Sequence, residues 1–140
     1  MLARNKLSAI VVTSSGLGAR PVAGILDYSC TKSFVDFLAR GLSYELEGKI
    51  DCLSWQAGEV STKMLKRPPG GSVVTTEVAV KGMLKDLGKE KMTRGCGVHD
   101  FSMAIFNRVP LGMLNRMMYS TMVKAHKRQL ANGKADKKTN

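Results

Sequence analysis

The sequence predicts an α/β fold, with strand and helix alternating as in a doubly wound parallel sheet. Three observations predict it. A β-branched apolar run at Ile10-Val11-Val12 breaks at Ser14-Ser15-Gly16, a long helical pattern follows, and a second short apolar run spans Ile50 to Trp55. A strand, a long helix and a strand of like character form one βαβ unit, with the right-handed crossover that such units adopt.

The first strand is expected from Ala9 to Thr13, because a short apolar run closed by a polar turn is the pattern of a buried strand. In doubly wound folds ligands bind where such strands end. A loop with Gly and Pro covers residues 16 to 26. The helix is expected from about Tyr28 to Glu47, with Phe34, Phe37, Leu38, Gly41, Leu42 and Leu46 spaced at three and four, Asp27 as N-cap and Gly48 as the stop. Ile50 to Trp55 is the next strand, and Gly58 opens the loop after it.

Lys66 to Ser72 is too rich in Pro and Gly to form an element and suits a mobile lid. Thr75 or Thr76 can cap a helix in which Val80, Met83, Leu84 and Leu87 share a face, and Gly88 ends it. Residues 96 to 100 are read as a last short strand. From Phe101 to Val123 the chain is apolar and rich in methionine, but Arg108, Pro110 and Arg116 interrupt it, which argues against a transmembrane helix. Residues 111 to 123 read as an amphipathic helix, packed on the domain or lying on a membrane surface. The organisation is therefore an α/β unit over 1–100, a Met-rich helical segment over 101–131 and a basic tail over 132–140.

The formal net charge of +11 is unevenly placed. Residues 1 to 62 carry six basic and six acidic side chains, and residues 63 to 140 carry 16 basic and 5 acidic. A neutral half followed by a cationic one differs from a protein coated all round for nucleic acid. The basic residues lie among methionines, without the aromatic interleaving of a base-stacking surface, so an anionic membrane surface is the expected partner and nucleic acid is not. Cys30, Cys52 and Cys96 are odd in number and lack metal-ligand spacing, which indicates neither a disulfide framework nor a metal site. No long apolar segment of a secretory signal opens the chain.

Tyr28 and Lys32 are four apart at the start of a helix, so both side chains leave from one face and can address one ligand. The spacing alone is not specific. Its context is, because Ser15 closes the preceding strand thirteen residues earlier. A lysine ammonium one turn from a phenol favours the phenolate, which makes the phenol a usable general acid near neutrality. Taken singly, Ser15 could cap a turn, Tyr28 and Lys32 could be solvated, and Thr62 could be a loop hydroxyl; taken together, in this order, they read as a site.

In these residues the chain resembles the short-chain dehydrogenase/reductase family: a strand ending in Ser15, then Tyr28-Ser29-Cys30-Thr31-Lys32, then Ala57-Gly58-Glu59-Val60-Ser61-Thr62. The specific motifs cover residues 1 to about 64. The resemblance implies that residues 1–100 are the catalytic half, the C-terminal portion, of a doubly wound Rossmann-like parallel sheet, and that the protein is an oxidoreductase. It implies that Tyr28 exchanges a proton with the substrate oxygen and that Ser15 holds that oxygen. Lys32 would bind the nicotinamide ribose, and Tyr28, Gly58, Val60 and Thr62 would complete the cofactor contacts, Thr62 at the carboxamide. NADP(H) is the expected cofactor, with NAD(H) left open. The run Thr31-Lys32-Ser33-Phe34-Val35-Asp36-Phe37, the turn Val60-Ser61-Thr62-Lys63-Met64 and the basic C-terminus resemble the branch of very-long-chain 3-oxoacyl-CoA reductases and 17-beta-hydroxysteroid dehydrogenases.

That resemblance implies an acyl-CoA or a steroid as substrate, and a homodimer through the helix 28–47. The terminal Lys137-Lys138-Thr139-Asn140 resembles a dilysine retrieval signal, so a cytosol-facing place at the endoplasmic-reticulum membrane is expected. The chain also departs from the family. Ala57 stands where Pro is usual, the Asn of the helix before the serine strand is missing, and there is no room ahead of Ile10 for the glycine-rich phosphate loop. Gly16-Leu17-Gly18 and Gly95-Cys96-Gly97 are close glycine pairs, but neither is expected to open a helix in the context such a loop needs. These 140 residues alone are therefore expected to bind no NADP(H) and to be inactive. The rival reading is a non-catalytic, truncated relative that binds a membrane or a partner.

Overall fold

The computed structural model describes residues 7–136, with side chains through Lys127. Three parallel strands form one sheet in the order β1 (Ala9–Thr13), β2 (Asp51–Trp55), β3 (Met92–Thr93). The register pairs Ala9 with Asp51 through Thr13 with Trp55, and Ser54 and Trp55 with Met92 and Thr93. Helices α1 (Leu26–Glu45), α2 (Thr76–Asp86), α3 (Gly97–Arg108) and α4 (Leu111–Asp136) complete the fold. The alternation of strands and helices predicted for an α/β chain is what forms.

The central strand β2 is the most buried, with Cys52, Leu53 and Ser54 all inaccessible. That fits a parallel strand covered on both faces, and the one polar side chain among the three, Ser54, is satisfied by a hydrogen bond to α1. Burial, and then the neighbouring Asp51 charge, raise the pKa of the Cys52 thiol. All three cysteines are free.

Helix α1 starts two residues before the sequence expectation, at Leu26, with Ile25 as N-cap and no side-chain cap. Asp27 lies inside the first turn, where its charge still favours the helix N-terminus. The inward face of α1 is largely polar. Phe34 and Phe37 are 67% and 69% exposed, and the residues α1 buries are Ser29, Asp36, Ala39 and Ser43. The reason lies on β2 and just beyond it. Ser54 Oγ donates to Asp36 Oδ1 at 2.6 Å and Gln56 Nε2 donates to the same oxygen at 3.0 Å. Arg40 then pairs with Asp36 Oδ2 at 2.9 Å. A carboxylate bridging helix to strand must face inward, and this rotates the aromatic stripe outward.

Replacing Asp36 with alanine would leave two buried donors unpaired, and urea denaturation should record a loss of about 2 kcal/mol. Asp36→Asn, which keeps an acceptor for Ser54, should lose less.

Thr75, of the two candidates, caps α2, accepting from the Val78 amide at 3.3 Å. Gly88 follows the helix at φ +78°, a backbone that L side chains rarely adopt. The strand expected over 96–100 does not form. Those residues cap and open α3, and the real third strand is the two-residue Met92–Thr93. Gly95-Cys96-Gly97 thus does precede a helix, contrary to expectation. Its glycine serves packing: Gly95, at φ +81°, lies against the Ala79 carbonyl and Gly82 of α2. Asp100 occupies the first turn of α3 and pairs with Arg94 at 3.1 Å, so that turn already holds an anion.

Val109-Pro110 separates α3 from α4, as a proline that cannot continue a helix should. The amphipathic helix expected over 111–123 runs on to Asp136. Among the described residues, no helix is long and apolar enough to cross a membrane.

Candidate active site

The C-terminal ends of β1 and β2 open onto a cavity of about 520 Å³, where doubly wound sheets place their ligands. Its floor comes from Ser15, Gly16 and Leu17 after β1, and from Ala57 to Val60 and Thr62 after β2. Tyr28 enters from the first turn of α1. Met103 and Phe106 of α3, Met118 and Met122 of α4, and Met64 and Leu65 of the intervening loop supply apolar walls.

The loop over 16–25 sets this arrangement. Arg20 Nη1 donates to the carbonyls of Phe106 and Val109 at 2.8 and 2.7 Å, satisfying orphan acceptors at the end of α3. The Ala23 amide donates to Asn115 Oδ1 at 2.8 Å and so docks α4. Gly24, at φ +90°, lets the backbone approach the Met122 side chain, where a Cβ would sit 2.8 Å from the Met122 Cβ. Met118 and Met122 are held over the cavity by these contacts.

Ser15, Tyr28, Gly58, Val60 and Thr62 all line this cavity. Ser15 Oγ accepts from the Leu17 amide at 3.3 Å, so the turn-capping role and a donor role coexist: the oxygen is engaged as acceptor while its proton can turn to a ligand. Lys32 is not part of the wall. Its Nζ donates to the Thr13 carbonyl at 3.0 Å and lies 5.8 Å from the centre of the Tyr28 ring. Ser14 Oγ donates to the Lys32 carbonyl at 2.6 Å. The end of β1 and the start of α1 are thereby tied together, and a cation is held beside the phenol.

The donor set fits the nicotinamide end of a dinucleotide. The Thr62 hydroxyl suits an amide, the two further donors of the Lys32 ammonium suit a diol, and the hydroxyls of Ser15 and Tyr28 suit a carbonyl oxygen.

Two residues that sequence reasoning did not single out complete the geometry. Glu59 ties down the loop expected to be a lid. Its carboxylate accepts from Arg67 Nη1 and Ser72 Oγ, both at 2.5 Å, while its carbonyl accepts from the Val74 amide at 3.0 Å. Bridges between Val60 and Val74 and between Gly70 and Val73 order the same loop. His99 is 1% exposed and packs against Gly58 and Glu59 from α3. The His99 contacts join residues 40 and 41 apart in sequence, beyond the reach of any local motif.

Comparison with known proteins agrees with this fold. The profile of the short chain dehydrogenase family matches residues 1–69. The very-long-chain 3-oxoacyl-CoA reductase of Anas platyrhynchos is 32% identical over 123 residues, which is 86% of this chain and 39% of the duck protein. The human reductase of that name is 35% identical over 112 residues, 79% of this chain and 36% of its own length. A solved 7beta-hydroxysteroid dehydrogenase superposes with a TM-score of 0.67 at 23% identity, covering 79% of this chain and 45% of that one, and supports the fold.

Over residues 1–69 the chain matches the short-chain dehydrogenase family, a family of oxidoreductases. Within it, the similarity falls in the branch of the very-long-chain 3-oxoacyl-CoA reductases. The chain spans well under half the length of those relatives.

Proposed function

We propose that this chain is the substrate-side, proton-donating portion of an NADPH-dependent reductase of 3-oxoacyl-CoA. The observation that carries the reading is the convergence of Ser15, Tyr28 and Thr62 on one methionine-lined cavity at the strand ends. Flexible methionine side chains suit a long acyl chain. The relatives' names point to the same substrate class.

When bound, the dinucleotide supplies hydride to the carbonyl carbon. Ser15 donates a hydrogen bond to the carbonyl oxygen and keeps it beside the phenol. Tyr28 passes its proton to that oxygen as negative charge develops there, so the ketone leaves as an alcohol. Lys32, anchored on the Thr13 carbonyl, holds positive charge near the phenolate that forms, and its remaining donors would hold the ribose of a bound dinucleotide. Thr62, presented by the turn after β2, would hold the carboxamide of a bound dinucleotide.

The test is the rate of NADPH oxidation by the protein as isolated from its source, with a long 3-oxoacyl-CoA and with a steroid ketone. Preference for the acyl-CoA supports the reading, and preference for the steroid moves the substrate to the other class the sequence left open. Inactivity on both, with the protein folded, favours a non-catalytic partner-binding relative.

The reading includes a place on the cytosolic face of the endoplasmic-reticulum membrane, supported by Lys137 and Lys138, which lie outside the described residues. The exposed Met113 and Met117 on α4, beside Arg116, support contact with an anionic bilayer surface. The exposed Phe34, Phe37 and Leu38 on α1 support a homodimer through that helix. Recovery of the natural protein as a soluble monomer would contradict both.

A further inference from the structure

We infer that His99 is a positioning residue for the Gly58–Thr62 turn, its Nδ1 accepting from the Gly58 amide and its Nε2 donating to the Glu59 carbonyl. The inference rests on the function proposed above, since the turn matters because it presents Val60 and Thr62 to the cavity.

Three backbone groups surround the ring. The Gly58 amide lies 3.3 Å from Nδ1, the Arg94 carbonyl 3.3 Å from Nδ1, and the Glu59 carbonyl 3.2 Å from Nε2. With the proton on Nε2, the ring accepts from Gly58 and donates to Glu59, satisfying both. With the proton on Nδ1 only the Arg94 carbonyl is served, and an acceptor nitrogen faces the Glu59 carbonyl. Protonating both nitrogens sets a ring N–H against the Gly58 amide. Only the Nε2–H form pairs with both neighbours on the turn.

Packing reinforces the hydrogen bonds. A Cβ at Gly58 would stand 2.5 Å from His99 Cδ2 and 2.7 Å from Cγ, so the glycine after β2 is needed for close approach of this ring. The ring is almost completely buried, and its carrier, α3, is docked at the far end by Arg20. The turn is thus gripped from one side by His99 and from the other by the Val74 amide and the loop that Glu59 holds. His99 sets where Thr62 stands without being one of the groups that move a proton or hydride.

The experiment compares His99→Ala, His99→Asn and His99→Leu in the protein as isolated from its source. Removing the ring should raise KM for NADPH about tenfold, on the order of the net worth of one hydrogen bond, with kcat changed much less. His99→Asn, whose Oδ1 can accept from Gly58, should recover most of that loss. His99→Leu, similar in bulk but unable to accept, should not. Hydrogen exchange at the amides of residues 57–62 should accelerate in the Leu variant and remain slow in the Asn variant. If the Ala variant fails to fold, the Asn and Leu pair carries the comparison.

An unchanged KM for NADPH in the Leu variant, or unchanged exchange at 57–62, would overturn the inference. Failure of the underlying function would look different: the unaltered protein would oxidise no NADPH, while the exchange rates would still report whether His99 holds the turn.

Discussion

Tyr28→Phe should lower kcat for ketone reduction by about 10³-fold or more while leaving folding and NADPH binding nearly intact. The size follows from the role. Phenylalanine keeps the ring on α1 and its contact with the Lys32 ammonium, 5.8 Å from the ring centre, but has no proton to give the substrate oxygen. Stability should barely change, because Tyr28 is 41% exposed and its hydroxyl anchors nothing in the core. Lys32→Met should differ in kind, because it also removes the tie to the Thr13 carbonyl and so loosens β1 against α1. Steady-state kinetics beside a thermal melt separates the two. A Tyr28→Phe protein retaining a tenth of its activity would remove the phenol from the mechanism.

Gly82→Ala should destabilise the fold by about 3 kcal/mol or more, a large share of a small domain's stability. A Cβ there would stand 1.5 Å from the Gly95 carbonyl oxygen and 2.6 Å from its carbon. Both are backbone atoms, with no flexible side chain to yield. The Gly95 amide is itself fixed by Thr93 Oγ1 at 2.9 Å, and Thr93 Oγ1 donates to Asp86 Oδ2 at 2.5 Å. Moving α2 away would therefore break the link between the end of that helix and β3. Gly41→Ala is the control. Gly41 sits inside α1 with nothing within 4 Å of its would-be Cβ, so alanine should stabilise by about 1 kcal/mol through propensity alone. Urea denaturation of the pair should show opposite signs, and equal midpoints would mean that the α2 contact with the β3–α3 turn is not as close as described.

What was legible in the sequence divides by the range of the interactions involved. β1 is legible to the residue, because a β-branched run ending in two serines and a glycine is a local signal. The cap at Thr75 and the stop near Gly88 are local too. The inward face of α1 is not, because Asp36 faces inward only on account of Ser54 and Gln56. Periodicity marks Phe34 and Phe37 as one face of a helix, but does not say on which side that face lies. β3 escapes because a two-residue strand carries no period, and the sole β-branched residue of 96–100, Val98, belongs to a helix. In the site, Ser15, Tyr28 and Thr62 are marked by their order along the chain, whereas His99 and Glu59 act through contacts with no sequence motif.

The central claim, that this chain carries the proton-donating side of a 3-oxoacyl-CoA reductase, is tested most directly on the protein captured from its own cells with an antibody to the C-terminal tail. Incubated with a long-chain 3-oxoacyl-CoA and NADPH, it should form 3-hydroxyacyl-CoA, one molecule for each NADPH consumed. Captured, folded protein that forms no 3-hydroxyacyl-CoA with either NADPH or NADH would contradict the claim.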